Sequence, residues 1–195
     1  HRTYVKYKKY SPEELYKVIE PTLLKKPKKN TLWIRYSKTI LSAAKFLSKF
    51  ESHIEVYQLF DEYDSNPLMR PFLPIVLSFE IDGIAFALSC DLLKEMGYVN
   101  YGKPDTHIKD IFINAGLLQN ASKNSIKADF YSLQIIDRLA KANNRTPYAV
   151  DKLLWLIGSG NFYLAEPKIN IGRQKNVFIQ YLKDLKWAFI YGSNS

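Results

Sequence analysis

Residues 102–110 read GKPDTHIKD, and Asp105 is the side chain in this stretch that could perform chemistry. An aspartate that follows a proline and precedes an amphipathic run is typical of a helix N-cap, where the carboxylate accepts hydrogen bonds from backbone N–H groups. The same position favours an ionised carboxylate, because the helix dipole stabilises negative charge at an N-terminus. The stretch therefore predicts a structural cap, a catalytic anion, or both.

Three polar side chains lie close to Asp105 in the sequence. His107 falls in the first turn of the predicted helix, where it either supports Asp105 or faces solvent; a role in supporting the fold is favoured over proton transfer. Lys103 and Lys109 flank the aspartate and are predicted to hold phosphate groups. The alternative is that both are ordinary exposed lysines.

Other residues that could form a catalytic or metal site lack the spacing that such sites need. Gly158-Ser159-Gly160 follows a predicted helix, so it is interpreted as a helix stop and not as a phosphate-binding loop. His1, His53 and His107 share no metal-ligand spacing with one another or with Cys90. A single cysteine cannot build a disulfide, a cysteine-rich zinc site or an iron–sulfur cluster. We expect Cys90 in the core, with no metal and no other cofactor.

The charge of the chain, +9 overall, is unevenly distributed. Residues 1–49 carry 13 Lys and Arg against 3 acids, residues 50–100 carry 2 against 9, and residues 101–195 carry 13 against 7. Two basic regions flanking an acidic one suit a polyanionic partner, because neutralised phosphates release counterions. The alternative is that the lysines merely solubilise an ordinary surface.

Hydropathy gives no sign of a membrane partner. No run of about 18 uncharged apolar residues is present, and the first ten residues lack the apolar stretch of a secretory signal. The expectation is a monomeric cytoplasmic protein, associated with the nucleoid if the source is bacterial or archaeal.

Helix signals dominate the chain, and no segment alternates like a β-strand over more than a few residues. The fold class predicted is all-α, an orthogonal bundle of about eight helices. Residues 1–195 are expected to form a single all-α unit; a division into two lobes, 1–75 with the C-terminal helix and 76–165, is the alternative. Predicted helices cover roughly 11–19, 31–50, 53–62, 67–78, 82–97, 105–116, 125–142, 146–158 and 173–190.

Residues 83–118, GIAFALSCDLLKEMGYVNYGKPDTHIKDIFINAGLL, resemble the helix–hairpin–helix base-excision DNA glycosylase superfamily with its endonuclease III-like core. In that family a hairpin of the form hydrophobic-x-Gly-hydrophobic-Gly precedes a helix, and a loop then delivers an aspartate in a Val-Asp-Thr-His or Lys-Pro-Asp-x-His setting. Asp-Thr-His is intact at 105–107. Placing Gly83-Ile84-Ala85 on the hairpin matches the interval to Asp105 without a gap. The resemblance is looser as far as about residue 165.

The resemblance implies an orthogonal glycosylase bundle that acts on double-stranded DNA carrying a lesion or mismatch. Asp105 would be the catalytic carboxylate, and Gly83, Ile84 and Ala85 would grip a DNA phosphate beside Lys103 and Lys109. A flipped base needs a pocket with apolar or aromatic walls. The candidates for that pocket are Trp33, Tyr36, Trp155 and Tyr163.

The chain departs from the family pattern at the hairpin. Ala85 replaces the second glycine, and Asp82 places a negative charge before the turn; both changes weaken a phosphate site. Ala87 stands where strand-cleaving relatives carry a Schiff-base lysine, which predicts a monofunctional enzyme that uses water as the nucleophile. The alternatives are a noncatalytic nucleic-acid-binding protein that keeps the glycosylase fold, and a helical protein–protein adaptor.

Overall fold

The computed structural model describes residues 6–22, 31–119, 121–162 and 169–191, and the described residues are almost entirely helical. This confirms the all-α class. A short 3₁₀ helix, Glu20–Thr22, follows the first helix, and two two-residue strands, β1 (Asn161–Phe162) and β2 (Ile169–Asn170), pair antiparallel. The α-helices are α1 (Pro12–Ile19), α2 (Thr31–Leu47), α3 (His53–Ser65), α4 (Phe72–Glu80), α5 (Phe86–Glu95), α6 (Thr106–Asn114), α7 (Ile126–Ala142), α8 (Pro147–Ser159) and α9 (Lys175–Tyr191).

The chain divides into two compact units, His1–Ser89 and Cys90–Ser195. The predicted lobes were divided near residue 75, and they grouped the last helix with the N-terminal residues. The observed division falls within α5 instead, and α9 packs in the C-terminal unit, where Phe178 and Leu182 contact its core. None of the described helices combines the length and the apolar content that a bilayer crossing requires.

In the N-terminal unit, α1 packs on α2, and α4 contacts both α2 and α3. The start of α1 is a capping box. The Ser11 hydroxyl accepts from the Glu14 N–H at 3.2 Å, and the Glu14 carboxylate accepts from the Ser11 N–H at 2.7 Å. Buried apolar side chains of this unit include Leu15, Tyr16, Phe46, Val56, Phe60, Leu73 and Leu77.

The C-terminal unit is built around α8, which contacts α6, α7 and α9. The apolar stripe predicted for the helix after Asp105 faces this core, since Ile108, Ile111 and Phe112 are at most 1% exposed. Burying these side chains is the main favourable contribution to the packing of α6. Other members of the same core are Leu118, Ala128, Ile136 and Leu154.

Several helix boundaries differ from the prediction: the helix predicted at 67–78 runs from Phe72 to Glu80, and the one predicted at 31–50 ends at Leu47. The helix predicted from Asp82 begins at Phe86, because residues 82–83 form a turn that ends in a left-handed glycine. The helix predicted to end at Gly158 continues to Ser159, and Gly160, with φ +79°, forms the left-handed cap. Gly158 itself lies inside α8. The predicted ends at Gly97 and Gly116 are confirmed, since both residues have positive φ just beyond their helices.

An ion cluster connects three parts of the C-terminal unit. The Asp110 carboxylate on α6 accepts from Lys123 in the loop before α7, and from Lys175 at the start of α9 at 2.9 Å. Burial alone would raise the pKa of Asp110, but the hydrogen bonds and charges of the two lysines outweigh burial and hold the pKa below its ordinary value of 3.8. The folded state therefore favours the ionised carboxylate.

The pKa of Asp110 is lower in the folded state than its ordinary value of 3.8 in the unfolded chain. The ion cluster therefore contributes to stability above pH 3.8, and this contribution is lost as the pH falls through the folded-state pKa. We expect Asp110→Asn to lower the melting temperature at pH 6, and the gap from the unsubstituted protein to close below pH 3.8. Thermal unfolding followed by circular dichroism between these pH values measures the gap. Asp184→Asn is the control, because Asp184 accepts a hydrogen bond from Gln180 without an ion pair among the described residues. A gap that stays constant with pH would contradict the assignment.

Candidate functional site

Asp105 is the N-cap of α6, as predicted. Its Oδ1 atom accepts from the backbone N–H groups of His107 at 2.9 Å and Ile108 at 3.0 Å, and its backbone is extended. The Oδ2 atom has no hydrogen-bond partner among the described residues, and the residue is half-buried. One carboxylate oxygen is therefore fixed by the helix, while the other can contact a ligand.

The loop that carries Asp105 is packed against the core of the C-terminal unit. Tyr101 is fully buried, and Pro104 is also among the fully buried side chains. A Cβ on Gly102 would lie 2.8 Å from two side-chain carbons of Ile136 on α7, so any other residue there would require the Ile136 side chain to shift. The position of Asp105 is consequently set by tertiary packing as well as by its cap hydrogen bonds.

His107 lies against α8. A Cβ added to Gly158 would be 2.6 Å from the Cβ of His107, which shows how closely the two helices approach. The His107 Nδ1 atom is buried and has no hydrogen-bond partner among the described residues. These contacts favour the predicted role of His107 in supporting the fold.

The structure gives the two flanking lysines different surroundings. Lys103 is partly exposed and donates to Asp91 at 2.8 Å. Lys109 is only 8% exposed and donates to Asp129 on α7 at 2.7 Å. The prediction that Lys109 holds a DNA phosphate is therefore not retained, because its ammonium group is buried and already paired.

A buried ion pair that no local sequence pattern predicts lies beside this loop. Lys94 on α5 donates to Asp151 on α8, and their side chains are 1% and 4% exposed. The Lys94 ammonium is also 3.1 Å from Asp91, which in turn accepts from Lys103. These four residues, with Lys152 and Trp155, line a cavity of about 170 Å³.

The two carboxylates of this cluster respond differently to burial. Burial raises the pKa of Asp151, and the charge and hydrogen bond of Lys94 offset only part of the increase. Burial would also raise the pKa of Asp91, but the hydrogen bonds and charges of Lys103 and Lys94 outweigh burial and hold this pKa below its ordinary value. Lys94 and Lys103 each contact a carboxylate of the cluster, so part of their charge is already compensated within it.

Gly83, Ile84 and Ala85 lie in the turn that precedes α5, in the N-terminal unit. Gly83 has φ +87°, and a Cβ there would be 2.4 Å from the Thr39 hydroxyl, so glycine is required for both reasons. The Ile84 N–H donates to the backbone carbonyl oxygen of Ile81 at 3.4 Å. The next residue, Ala85, is exposed. A tight turn that leads into a helix is therefore present where the hairpin was predicted.

The predicted pocket aromatics are distributed over both units. Trp33 and Tyr36 lie on α2 of the N-terminal unit with their ring centroids 5.6 Å apart, and Tyr36 is half exposed. Trp155 lies on α8 and lines the cavity beside Lys94. Tyr163 falls outside the described residues. Each unit can therefore be assigned a candidate aromatic wall, but a shared base pocket stays a prediction.

Metal and thiol chemistry find no support in the described part of the chain. No group of three or more His, Cys, Asp or Glu side chains among those residues is arranged to hold a metal ion. Cys90 is fully buried, and burial raises the pKa of its thiol well above the ordinary value. A buried neutral thiol is a poor nucleophile, which agrees with the predicted core position.

The contact between Gly158 and His107 can be tested by a double-mutant cycle. Gly158→Ala should destabilise the protein by about 1–3 kcal/mol, because the new methyl group overpacks the helix contact. The same change in a His107→Gly background should be neutral or stabilising, since the opposing Cβ is gone and alanine is the better helix former. Urea unfolding of the four proteins gives the coupling energy. Equal costs in both backgrounds would show that the contact is not the cause.

Comparisons with protein-family models, with curated proteins and with solved structures found no match for this chain. The glycosylase interpretation therefore depends on residues 83–118 and on the geometry described above.

Proposed function

We propose that this protein is a monofunctional DNA glycosylase that hydrolyses the N-glycosidic bond of a flipped, damaged or mismatched base, with Asp105 as its catalytic carboxylate. The observation that carries the proposal is the geometry of Asp105 within the Asp-Thr-His motif. One oxygen is held by two backbone amides, and the other has no partner among the described residues.

The chemistry requires an anion of this kind. Breaking an N-glycosidic bond builds positive charge on the deoxyribose ring, and a carboxylate near C1′ stabilises that charge in the transition state. The same carboxylate can orient or deprotonate the attacking water. The Oδ2 atom of Asp105 would face the sugar, while the Oδ1 atom stays bound to α6.

The turn before α5 would hold a DNA phosphate through its backbone. The N–H groups of Gly83 and Ala85 have no acceptor among the described residues, and α5 begins immediately afterwards, so its dipole favours an anion. The unfavourable charge of Asp82 is reduced by Lys38, whose ammonium group lies 3.5 Å from the carboxylate. Lys103, which is partly exposed, would be a further cation for a DNA phosphate, in the C-terminal unit.

Asp105→Asn separates the structural role of this residue from the chemical one. Asparagine caps a helix about as well as aspartate, so the free energy of unfolding should change by less than about 0.5 kcal/mol. The excision rate should fall about 10²–10⁴-fold, because the negative charge is lost. The assay uses duplexes carrying uracil, alkylated purines, oxidised guanine or mismatches, with alkali added to cleave at abasic sites.

Asp105→Ala is the matched control, since it removes the cap and should cost about 1 kcal/mol of stability as well as the activity. Full excision activity in Asp105→Asn would exclude the proposed mechanism.

A second prediction concerns the absent Schiff-base lysine. Borohydride added to the protein on an abasic duplex should trap no covalent complex, because Ala87 offers no amine. Ala87→Lys should give a trapped complex that denaturing gel electrophoresis detects. A trapped complex with the unsubstituted protein would show that another lysine attacks the sugar, and the monofunctional assignment would be withdrawn.

The second candidate function is noncatalytic nucleic-acid binding. It is favoured by Ala85 at the hairpin and by the fact that the cap role alone accounts for both observed hydrogen bonds of the Asp105 side chain. A protein of this kind would bind duplex DNA with salt-dependent affinity and release no base from any of the duplexes above.

A further inference from the structure

A groove in the C-terminal unit lies away from Asp105 and has no role in the proposed excision chemistry. It is formed by one face of α7 and the loop that follows α6, and its volume is about 420 Å³. That volume is within the range of small-molecule and cofactor sites. The lining residues that matter here are Leu117, Gln119, Lys127, Tyr131, Gln134 and Arg138.

The charged side chains that line this groove are cationic. Lys127 and Arg138 form no ion pair among the described residues, and no acidic residue lines the groove. Neighbouring lysines are different, because Lys109, Lys123 and Lys141 each contact an aspartate. The groove therefore has positive charge that no carboxylate among its lining residues compensates.

An exposed aromatic ring lies between the two cations along the helix. Tyr131 is 41% exposed, and the Lys127 ammonium is 5.7 Å from the centre of its ring. The side-chain amides of Gln119 and Gln134 also line the groove, and Leu117 is half exposed beside them. Cations for phosphates, a ring for stacking and amides for base edges are the groups that bind unpaired nucleotides.

The spacing of the cations favours a strand over a single nucleotide. Arg138 is eleven positions after Lys127, which is about 16 Å along α7 at 1.5 Å per residue. One strand carries a phosphate per roughly 3.4 Å of helix axis when its bases are stacked, so the groove spans several nucleotides. Bases within a duplex already stack on each other, and hence an exposed tyrosine gains a partner only from an unpaired base.

We propose that the groove between α7 and the loop 116–119 binds single-stranded nucleic acid, with Tyr131 stacking on a base and with Lys127 and Arg138 contacting phosphates. This binding does not require Asp105, so it would persist in Asp105→Asn. It goes beyond base excision, since it supplies a second contact for a strand that has been opened.

The test is fluorescence-anisotropy titration of the full chain with a labelled 20-nucleotide single strand. Tyr131→Ala should weaken binding about 5- to 150-fold, the effect typical of losing one stacked base. Tyr131→Phe keeps the ring and should bind as the unsubstituted protein does. Tyr181→Ala is the matched control, because Tyr181 is also exposed, lies on α9 and does not line the groove.

The charge contacts are tested by salt dependence. Arg138→Gln should reduce the slope of log K against log salt concentration by about 0.7, the value for one phosphate of a single strand. Lys141→Gln should leave the slope unchanged, because Lys141 is already paired with Asp137. Circular dichroism establishes that each variant is folded; these side chains lie at the surface, so loss of the fold is not expected.

The outcomes are distinct. Weakened binding in Tyr131→Ala and a smaller slope in Arg138→Gln, with both controls unaffected, support the proposal. The proposal is overturned if the unsubstituted protein does not bind the single strand. It is also overturned if the affinity of Tyr131→Ala stays within twofold of that of the unsubstituted protein. A duplex or a mononucleotide that competes as strongly as the strand also overturns it. The excision assay is independent, so failure of the glycosylase proposal would leave a strand-binding result intact.

Discussion

The buried ion pair between Lys94 and Asp151 is the interaction on which the C-terminal unit most depends. Two charges that are at most 4% exposed can be removed from water only together, and losing one partner of such a pair typically costs about 3–5 kcal/mol. Burial raises the pKa of Asp151, and the charge and hydrogen bond of Lys94 act in the opposite direction. The pair joins α5 to α8, and through Asp91 it reaches Lys103.

Asp105 lies two residues after Lys103, in the same loop. The loop between them is fixed by the buried Pro104 and by the close approach of Gly102 to α7, and the cap hydrogen bonds fix Oδ1. A carboxylate held in this way needs little reorganisation when charge develops beside it, which is the condition for electrostatic catalysis. Capping and the proposed catalysis would therefore make the same demand on the position of Asp105.

Local signals in the sequence predicted much of the fold. The Asp105 cap is confirmed, because the groups that form it lie within three residues of each other. The pairing of Lys94 with Asp151 spans 57 residues, and no local pattern encodes it. Lys109 was predicted to be accessible, since the helical stripe alone did not show that α7 covers it with Asp129. Tertiary contacts decided which lysines near the candidate site are accessible.

This distinction changes what the net charge of +9 implies about partners. Six lysines of the C-terminal unit, from Lys94 to Lys175, contact aspartates, and a paired cation releases fewer counterions when a phosphate approaches. The formal charge of residues 101–195, 13 Lys and Arg against 7 acids, already subtracts these aspartates, but it does not show where the excess positive charge lies. Among the described residues, cations without a carboxylate partner include Lys127 and Arg138 on α7. Affinity for nucleic acid should follow this local distribution and not the total charge.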